Sequence, residues 1–93
     1  MSYTLELQAE AVIDIQDAFE WYEEQKRGLG FELLDEIEAG FEKICESPFH
    51  YSSINESFRR FKIKRFPYLI IYEIETFKVI VIAVRHSSKK PKD

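Results

Sequence analysis

The spacing of hydrophobic positions changes twice along the chain. Over about residues 3–7, Tyr3, Leu5 and Leu7 alternate with polar residues, which predicts a short first strand. From about residue 9 to residue 46, apolar residues instead recur every three or four positions, which is the spacing of amphipathic helices. After Pro48 the alternation of period two returns. The pattern therefore predicts one strand, a helical region and then a strand-rich region.

The helical region divides into two helices at a pair of glycines. The first runs from about Ala9 to near Lys26, and its apolar stripe is Ala11, Ile15, Ala18 and Tyr22. The second runs from about Phe31 to Glu46, and its stripe is Leu34, Ile37, Phe41 and Ile44. Gly28 and Gly30 permit the positive φ of a tight reversal, so we expect an antiparallel helical hairpin. Gly40 interrupts the second helix and predicts a close approach to its backbone.

Three consecutive strands are predicted after the helices, over residues 58–64, 68–74 and 78–85. The second and third are apolar on both faces, so they should lie centrally in a sheet that helices cover on at least one face. The predicted fold class is α+β, with a helical hairpin packed on a four-stranded twisted antiparallel sheet in the order β-α-α-β-β-β. We expect a single domain over residues 1–93, with residues 87–93 as a flexible tail.

Charge is divided unequally between the two parts of the chain. Residues 1–56 carry 14 acidic and 3 basic side chains, whereas residues 57–93 carry 10 basic and 3 acidic ones, so the net charge of −4 hides two opposite halves. A basic sheet with an exposed face commonly meets phosphate or an acidic partner. The alternative is that the basic strands pair with the acidic helices inside the domain. The sequence leaves both interpretations open.

Composition indicates a cytoplasmic protein. No run approaches the ~20 apolar residues that span a bilayer, and the first residues lack the pattern of a secretory signal. The single Cys45 has no partner for an internal disulfide. One cysteine and two histidines show no ligand spacing, so we expect no metal, no cofactor and no membrane association.

The element order and particular residues together resemble the RelE/ParE superfamily of toxins from type II toxin–antitoxin systems, over residues 3–91. The matching features are Ala11…Asp14-Ile15…Ala18…Trp21-Tyr22, Gly28-Leu29-Gly30…Phe31, Ser47-Pro48, Phe58-Arg59-Arg60-Phe61, Phe66-Pro67-Tyr68…Ile71-Tyr72 and Val84-Arg85-His86. The resemblance implies a helical hairpin on a twisted sheet. It also implies a heteromer with a small antitoxin that wraps the toxin.

The resemblance implies one of two kinds of activity. Its ribonuclease members cut messenger RNA at the ribosome without metal, and its gyrase-directed members poison DNA gyrase. Nuclease relatives often have an arginine after the tyrosine of the central strand, where this chain has Leu69 after Tyr68. After His86 the chain has lysines where relatives have arginine. These departures favour the ParE-like, plasmid-stabilisation branch. The alternatives are a ribosome-dependent endoribonuclease and a non-toxic relative that only binds a partner.

The same residues define candidate sites. Metal-free RNA cleavage needs a proton donor and acceptor beside cations that hold the phosphate. A histidine exchanges protons near neutral pH. The catalytic candidates are His86, Arg60, Lys62 and Arg65. Candidates for binding the antitoxin or the target are Arg59, Lys64, Tyr68, Arg85 and Trp21. We expect His50 to be structural.

Overall fold

The computed structural model describes residues 3–88 and contains two helices packed on a four-stranded sheet. The elements in chain order are β1 Thr4–Leu7, α1 Ala9–Gln25, α2 Leu29–Glu46, β2 Arg59–Lys62, β3 Tyr68–Glu75 and β4 Lys78–His86. This order confirms the predicted α+β class and the predicted order of helices and strands. Residues 68–84 contain no helix, as the alternating pattern requires.

The sheet is mixed, so the prediction of a purely antiparallel sheet was wrong. Its strand order is β1-β4-β3-β2, with β2–β3 and β3–β4 antiparallel. β1 instead runs parallel to β4, with Thr4 opposite Lys78 and Leu7 opposite Val81. Short turns force neighbouring strands to be antiparallel, but β1 reaches the sheet through the whole helical hairpin. Such a long connection allows a parallel pair.

The two helices are separated by a left-handed residue. Gly28 has φ of 92°, a conformation that glycine adopts without strain, and it precedes α2 directly. α2 therefore begins at Leu29, two residues before the predicted start. The Gly30 amide in its first turn donates a hydrogen bond of 2.8 Å to the Glu23 carboxylate of α1. Glu23 thus serves one of the otherwise unpaired amides at the helix start.

The core lies between the helices and one face of the sheet. Its buried residues are Ala11, Ala18, Leu33, Ile37, Ile44, Ile63, Phe66, Ile70, Tyr72, Val79, Val81 and Val84. Gly40 allows the close approach that its position predicted, because a Cβ there would lie 2.9 Å from the Phe61 ring and 3.0 Å from Ile70 Cδ1. α2 therefore rests its backbone directly on β2 and β3.

A β-bulge in β4 reverses the faces of its last residues. Ile71 lies opposite Ala83 and Tyr72 opposite Val81, so Ile82 has no partner on β3. Val79 and Val81 belong to the core, and beyond the extra residue Val84 does too. Because alternation resumes from Val84, His86 faces the helices and Arg85 faces the opposite side.

β2 is shorter than predicted because the chain bends after Lys62. The Ile63 amide donates to the Tyr68 carbonyl at 3.2 Å, which closes the bend. Arg65 has a left-handed φ of 71° within it. Lys64 therefore lies beyond the strand, in the connection to β3.

The end of β4 continues into a turn. The Ser87 amide donates to the Pro67 carbonyl at 2.7 Å. The rest of the predicted tail, residues 89–93, lies outside the described residues. Between residues 3 and 88, neither helix is long and apolar enough to cross a bilayer.

Candidate functional site

Arg60 and Lys62 lie together on the face of the sheet away from the helices. Strand register places Arg60 opposite Ile71, and Lys62 opposite Leu69, and both basic side chains are exposed. Leu69 in turn lies opposite Arg85. The row across this face therefore reads lysine, leucine, arginine, with an apolar side chain at its centre.

A cleft of about 610 Å³ opens beside these two cations. We call it the β2 cleft, and its lining residues are His50, Tyr51, Ser52, Arg60, Phe61, Lys62, Leu69 and Ser87. Two cations, an imidazole and three hydroxyl groups surround the same space. This set of donors suits an anionic ligand such as a phosphate.

His50 is the residue of this cleft that sequence reasoning set aside. It follows α2 in a loop that carries no helical or strand pattern, so its position relative to Arg60 depends on how the loop folds back. That loop is tied to β2, because the Arg60 amide donates to the Ser52 carbonyl at 3.0 Å. The His50 ring packs edge-on against Tyr51 at 4.9 Å. No sequence signal marks this approach.

His86 lies on the opposite face from Arg60 and Lys62. Its ring packs edge-on against Tyr68 at 5.2 Å, and strand register pairs these two residues. Its Nδ1 lies 3.1 Å from the Ser88 hydroxyl oxygen. The β-bulge at Ile82 is the reason, since unbroken alternation from Val81 would have turned His86 to the open face. The predicted catalytic candidates are thus divided between two faces.

Arg65 and Arg85 bind carboxylates of the helices. Arg65 Nη2 lies 2.5 Å from Glu32 Oε1, and Nη1 lies 3.9 Å from Glu36. The hydrogen bond from Arg65 to Glu32 raises the pKa of the guanidinium further above its ordinary value. Although its strand position faces away from the helices, Arg85 reaches past the edge of β4 to α1, where it contacts Glu10 at 2.6 Å and Asp14 at 3.7 Å. These contacts support the intramolecular interpretation of part of the basic charge.

Arg59 fastens the loop before β2. Its guanidinium donates to the carbonyls of Tyr51 at 2.6 Å and Phe49 at 3.2 Å, and it lies 5.4 Å from the centre of the Phe49 ring. Lys64 is exposed and lies beside α2, in a shallow depression that Glu36 and Lys43 also line. Of the basic residues in β2 and the bend, only Arg65 makes an ion pair within residues 3–88, and Arg60, Lys62 and Lys64 also lack the carbonyl contacts that hold Arg59.

Tyr68 and Trp21 line a second cleft, of about 460 Å³, between α1 and the end of β4. We call it the α1–β4 cleft, and its lining residues are Asp14, Asp17, Ala18, Trp21, Tyr22, Tyr68, Val84 and His86. Burial raises the pKa of the Tyr68 phenol above its ordinary value, and the neighbouring Tyr22 adds to this effect. Trp21 is 54% exposed at the mouth of the cleft.

The part of the chain from residue 3 to residue 88 contains no group of three or more histidine, cysteine or acidic side chains placed to hold a metal ion. Cys45 is a partly buried free thiol, and burial raises its pKa. A thiol in this state is a poor nucleophile, because the thiolate is the reactive form.

Comparison with solved structures identifies the fold. A structure titled as the chromosomal ParDE toxin–antitoxin system from P. aeruginosa matches with a TM-score of 0.80 at 9% identity, covering 91% of this chain and 96% of that chain. A mutant of the E. coli toxin RelE in the free state matches with a TM-score of 0.67 at 17% identity, covering 95% and 86%. At these identities the likeness establishes the fold alone.

Sequence comparison identifies the family. A search of curated proteins finds no match. The model of the family described as the ParE toxin of the type II toxin–antitoxin system parDE matches residues 5–91, nearly the whole chain. The RelE-like and ParE-like resemblance of the sequence is thereby confirmed, and the chain belongs to the ParE toxin family of type II toxin–antitoxin systems.

Proposed function

We propose that this protein is a toxin that a cognate antitoxin neutralises, and that it acts on DNA gyrase rather than cutting messenger RNA. The observation that carries the proposal is that the candidate nuclease residues lie on two opposite faces of the sheet. Arg60 and Lys62 lie on the open face of the sheet, whereas His86 and Tyr68 lie on the helix face.

Metal-free RNA cleavage needs its groups on one side of the substrate. A base must take the proton of the 2′-hydroxyl, cations must hold the phosphate, and an acid must protonate the departing oxygen. Each group must come within about 3 Å of its atom, directly or through one water. A sheet separates His86 from the two free cations, so these residues cannot act on one phosphate together.

The open face also lacks a cation at its centre. Leu69 lies between Lys62 and Arg85 across the sheet, and its side chain offers no donor to a phosphate. Arg85 is already held by Glu10 and Asp14. Two cations on the edge strand remain, which is a surface that suits binding to an acidic partner.

Antitoxin binding is supported by the likeness to the ParDE system and by the surface of this chain. Arg60, Lys62 and Lys64 form a charged strip along β2 and the bend. Large apolar side chains are exposed elsewhere, among them Phe31 at 60% and Phe77 at 70%. An acidic, partly disordered segment that folds on binding would pair with the strip and cover apolar side chains.

Induced expression with two readouts tests the target. We expect a DNA-damage response with unresolved gyrase–DNA complexes, and intact messenger RNA. Cleavage of messenger RNA only when ribosomes are present would overturn the gyrase assignment. An absence of any growth defect at verified expression would leave only the partner-binding relative. Coexpression with the cognate antitoxin should restore growth, and failure to do so would contradict the proposed neutralisation.

The Arg60→Ala and His86→Ala variants test the catalytic candidates. We expect both to fold normally and to leave RNA cleavage as low as in the parent, because the parent has little. Losing one positioned donor from a working site instead costs about 100- to 1,000-fold in rate. A robust parental cleavage that either substitution abolishes would contradict the proposal.

The β2 cleft favours a ribosome-dependent endoribonuclease as the second candidate function. It places the His50 imidazole in the same space as Arg60 and Lys62. If cleavage is observed, the nuclease hypothesis predicts that His50→Ala abolishes it and His86→Ala does not. The two histidines are therefore matched variants that distinguish the two faces.

A further inference from the structure

The α1–β4 cleft carries a combination of groups that the proposed function does not use. Three aromatic side chains, Trp21, Tyr22 and Tyr68, line a space that two carboxylates, Asp14 and Asp17, also reach. Its volume of about 460 Å³ falls within the range of small ligand sites. The cleft lies on the opposite side of the sheet from Arg60 and Lys62.

Helical spacing explains why α1 contributes so much of this cleft. Asp17, Ala18 and Trp21 follow Asp14 by three, four and seven positions, so they lie along one side of the helix with it. Ala18 is small and 5% exposed, so it leaves space between the carboxylates and the aromatic rings. The aromatic side is continuous, because the Tyr22 ring packs edge-on against Trp21 at 4.9 Å and lies 6.1 Å from Tyr68.

The electrostatic character of the cleft is negative. α1 carries six acidic and no basic side chains. Arg85 binds Glu10 and Asp14, and Asp14 also accepts a hydrogen bond from the Val84 amide at 2.9 Å. Within residues 3–88, Asp17 has no ion-pair partner. Asp17 therefore brings a negative charge to the cleft that no cation of the described chain balances.

We propose that the α1–β4 cleft receives an arginine side chain of a partner polypeptide. A guanidinium attracts the faces of tryptophan and tyrosine rings and pairs with a carboxylate at the same time. Its planar shape lets it stack where a compact ammonium cannot. The exposed Trp21 supplies the ring at the mouth, and Asp17 supplies the carboxylate. Charge complementarity and aromatic walls together select this occupant.

Trp21 also makes the inference measurable, because it is the only tryptophan of the chain. Its fluorescence therefore reports on this cleft alone. The probe is a short blocked peptide with one arginine between glycines, titrated at fixed pH and ionic strength. The matched peptide carries citrulline, which keeps the shape and removes the charge. We expect saturable quenching with a millimolar dissociation constant for arginine, and at least fivefold weaker binding for citrulline.

Two variants distinguish binding in the cleft from non-specific attraction of arginine to the acidic surface of the protein. Asp17→Asn should weaken arginine binding about three- to tenfold, since it removes the unbalanced carboxylate. Asp35→Asn removes an exposed carboxylate of α2 and should leave the affinity unchanged. Equal effects of the two substitutions, or equal binding of the two peptides, would overturn the proposal.

A shortened chain that ends at Ser88 tests whether the lysines among residues 89–93 of this chain, rather than a partner, occupy the cleft. If the cleft serves a partner, removing residues 89–93 leaves the affinity for the arginine peptide unchanged. Binding that appears only after the removal would assign the cleft to the lysines of this chain's own end and overturn the proposal. These results do not depend on the toxin's target, so the gyrase assignment and this inference fail separately.

Discussion

At the scale of the residue, Tyr72 joins the sheet to the loop after α2. Its side chain is fully buried, and its hydroxyl donates a hydrogen bond of 2.6 Å to the Pro48 carbonyl. Burial raises the pKa of the phenol to about 12, although the nearby Arg59 acts in the opposite direction. The phenol is thus held in its neutral form by the folded state.

This raised pKa predicts an alkaline loss of stability. In the unfolded chain the phenol ionises near its ordinary pKa of about 10, so the stabilising effect is complete below that pH and declines as pH rises toward 12. By pH 11 the loss should be about 1.4 kcal/mol. Tyr72→Phe should cost about 1–2 kcal/mol at neutral pH, because the Pro48 carbonyl loses its donor.

Urea unfolding at pH 8 and pH 11 tests this prediction. The variant lacks the ionising group, so the difference in unfolding free energy between parent and variant should shrink as pH rises. Other alkaline transitions affect both proteins and cancel in that difference. A difference that stays constant from pH 8 to pH 11 would contradict the raised pKa of Tyr72.

The positions of single residues show where sequence reasoning ends. Arg60 and Lys62 alternate with Phe61 in β2 and lie on one face, whereas Lys64 and Arg65 lie in the bend beyond the strand, where alternation no longer decides their direction. Alternation did not reveal that His86 faces the helices, because one unpaired residue at Ile82 reverses the pattern. A bulge has little sequence signature in a run such as KVIVIAV, where every residue suits either face. His50 was missed because loop geometry has no period.

At the scale of the element, α1 covers an edge of the sheet. β1 pairs with β4 only from Lys78 to Val81, so the later part of β4 pairs with β3 on one side and has no strand on the β1 side. Asp14 of α1 accepts a hydrogen bond from the Val84 amide at 2.9 Å on that edge. The helix thus replaces a strand as the partner of an otherwise open ladder.

Removal of this contact should destabilise the fold measurably. Asp14→Ala leaves the Val84 amide without its acceptor, and we expect a loss of about 1–3 kcal/mol in the free energy of unfolding. Asp14→Asn keeps an acceptor oxygen and should cost less than about 1 kcal/mol. Asp17→Ala removes an exposed carboxylate of the same helix that makes no ion pair within residues 3–88, so it should change stability by no more than about 0.5 kcal/mol.

Amide exchange locates the effect. The Val84 amide should exchange faster in Asp14→Ala than in the parent or in Asp17→Ala. Equal exchange in all three proteins would mean that Asp14 does not protect this edge.

The elements themselves were predictable where local pattern decides them. Both helices, both glycine positions and the three later strands lie within a few residues of their predicted bounds. The direction of β1 was not predictable, because its alternation of Leu5 and Leu7 is the same in a parallel and an antiparallel pair. Direction depends on the path of a connection through two helices.

At the scale of the whole molecule, some basic side chains of residues 57–93 form ion pairs with acidic side chains of residues 1–56, and others do not. Lys78 pairs with Glu6 at 3.2 Å, and Arg65 and Arg85 pair with helix carboxylates. These pairs are exposed, so solvent and salt weaken the attraction in each of them. Arg60, Lys62 and Lys64 lie at the other edge of the sheet, and within residues 3–88 none of them forms an ion pair.

We expect this remaining charge to steer the cognate antitoxin. The association rate should fall steeply as salt rises, since the Debye length shrinks from about 10 Å at 0.1 M to about 3 Å at 1 M. Stopped-flow mixing across this range measures the slope. The double variant Arg60→Gln with Lys62→Gln should flatten it, whereas Lys26→Gln in the hairpin loop should not. An association rate in the parent that ignores salt would remove the charge strip from antitoxin recognition.

The unpaired Ile82 has a consequence for how members of this fold diverge. A strand with an extra residue shows one set of side chains to the outside, and the same strand without it shows the other. Losing a single codon at this point would exchange Arg85 and His86 between the helix side and the open side without altering either residue. Two homologues with identical C-terminal residues can therefore present different side chains to a ligand. The number of residues between the start of the strand and those C-terminal residues is then a better guide to shared activity than their identity.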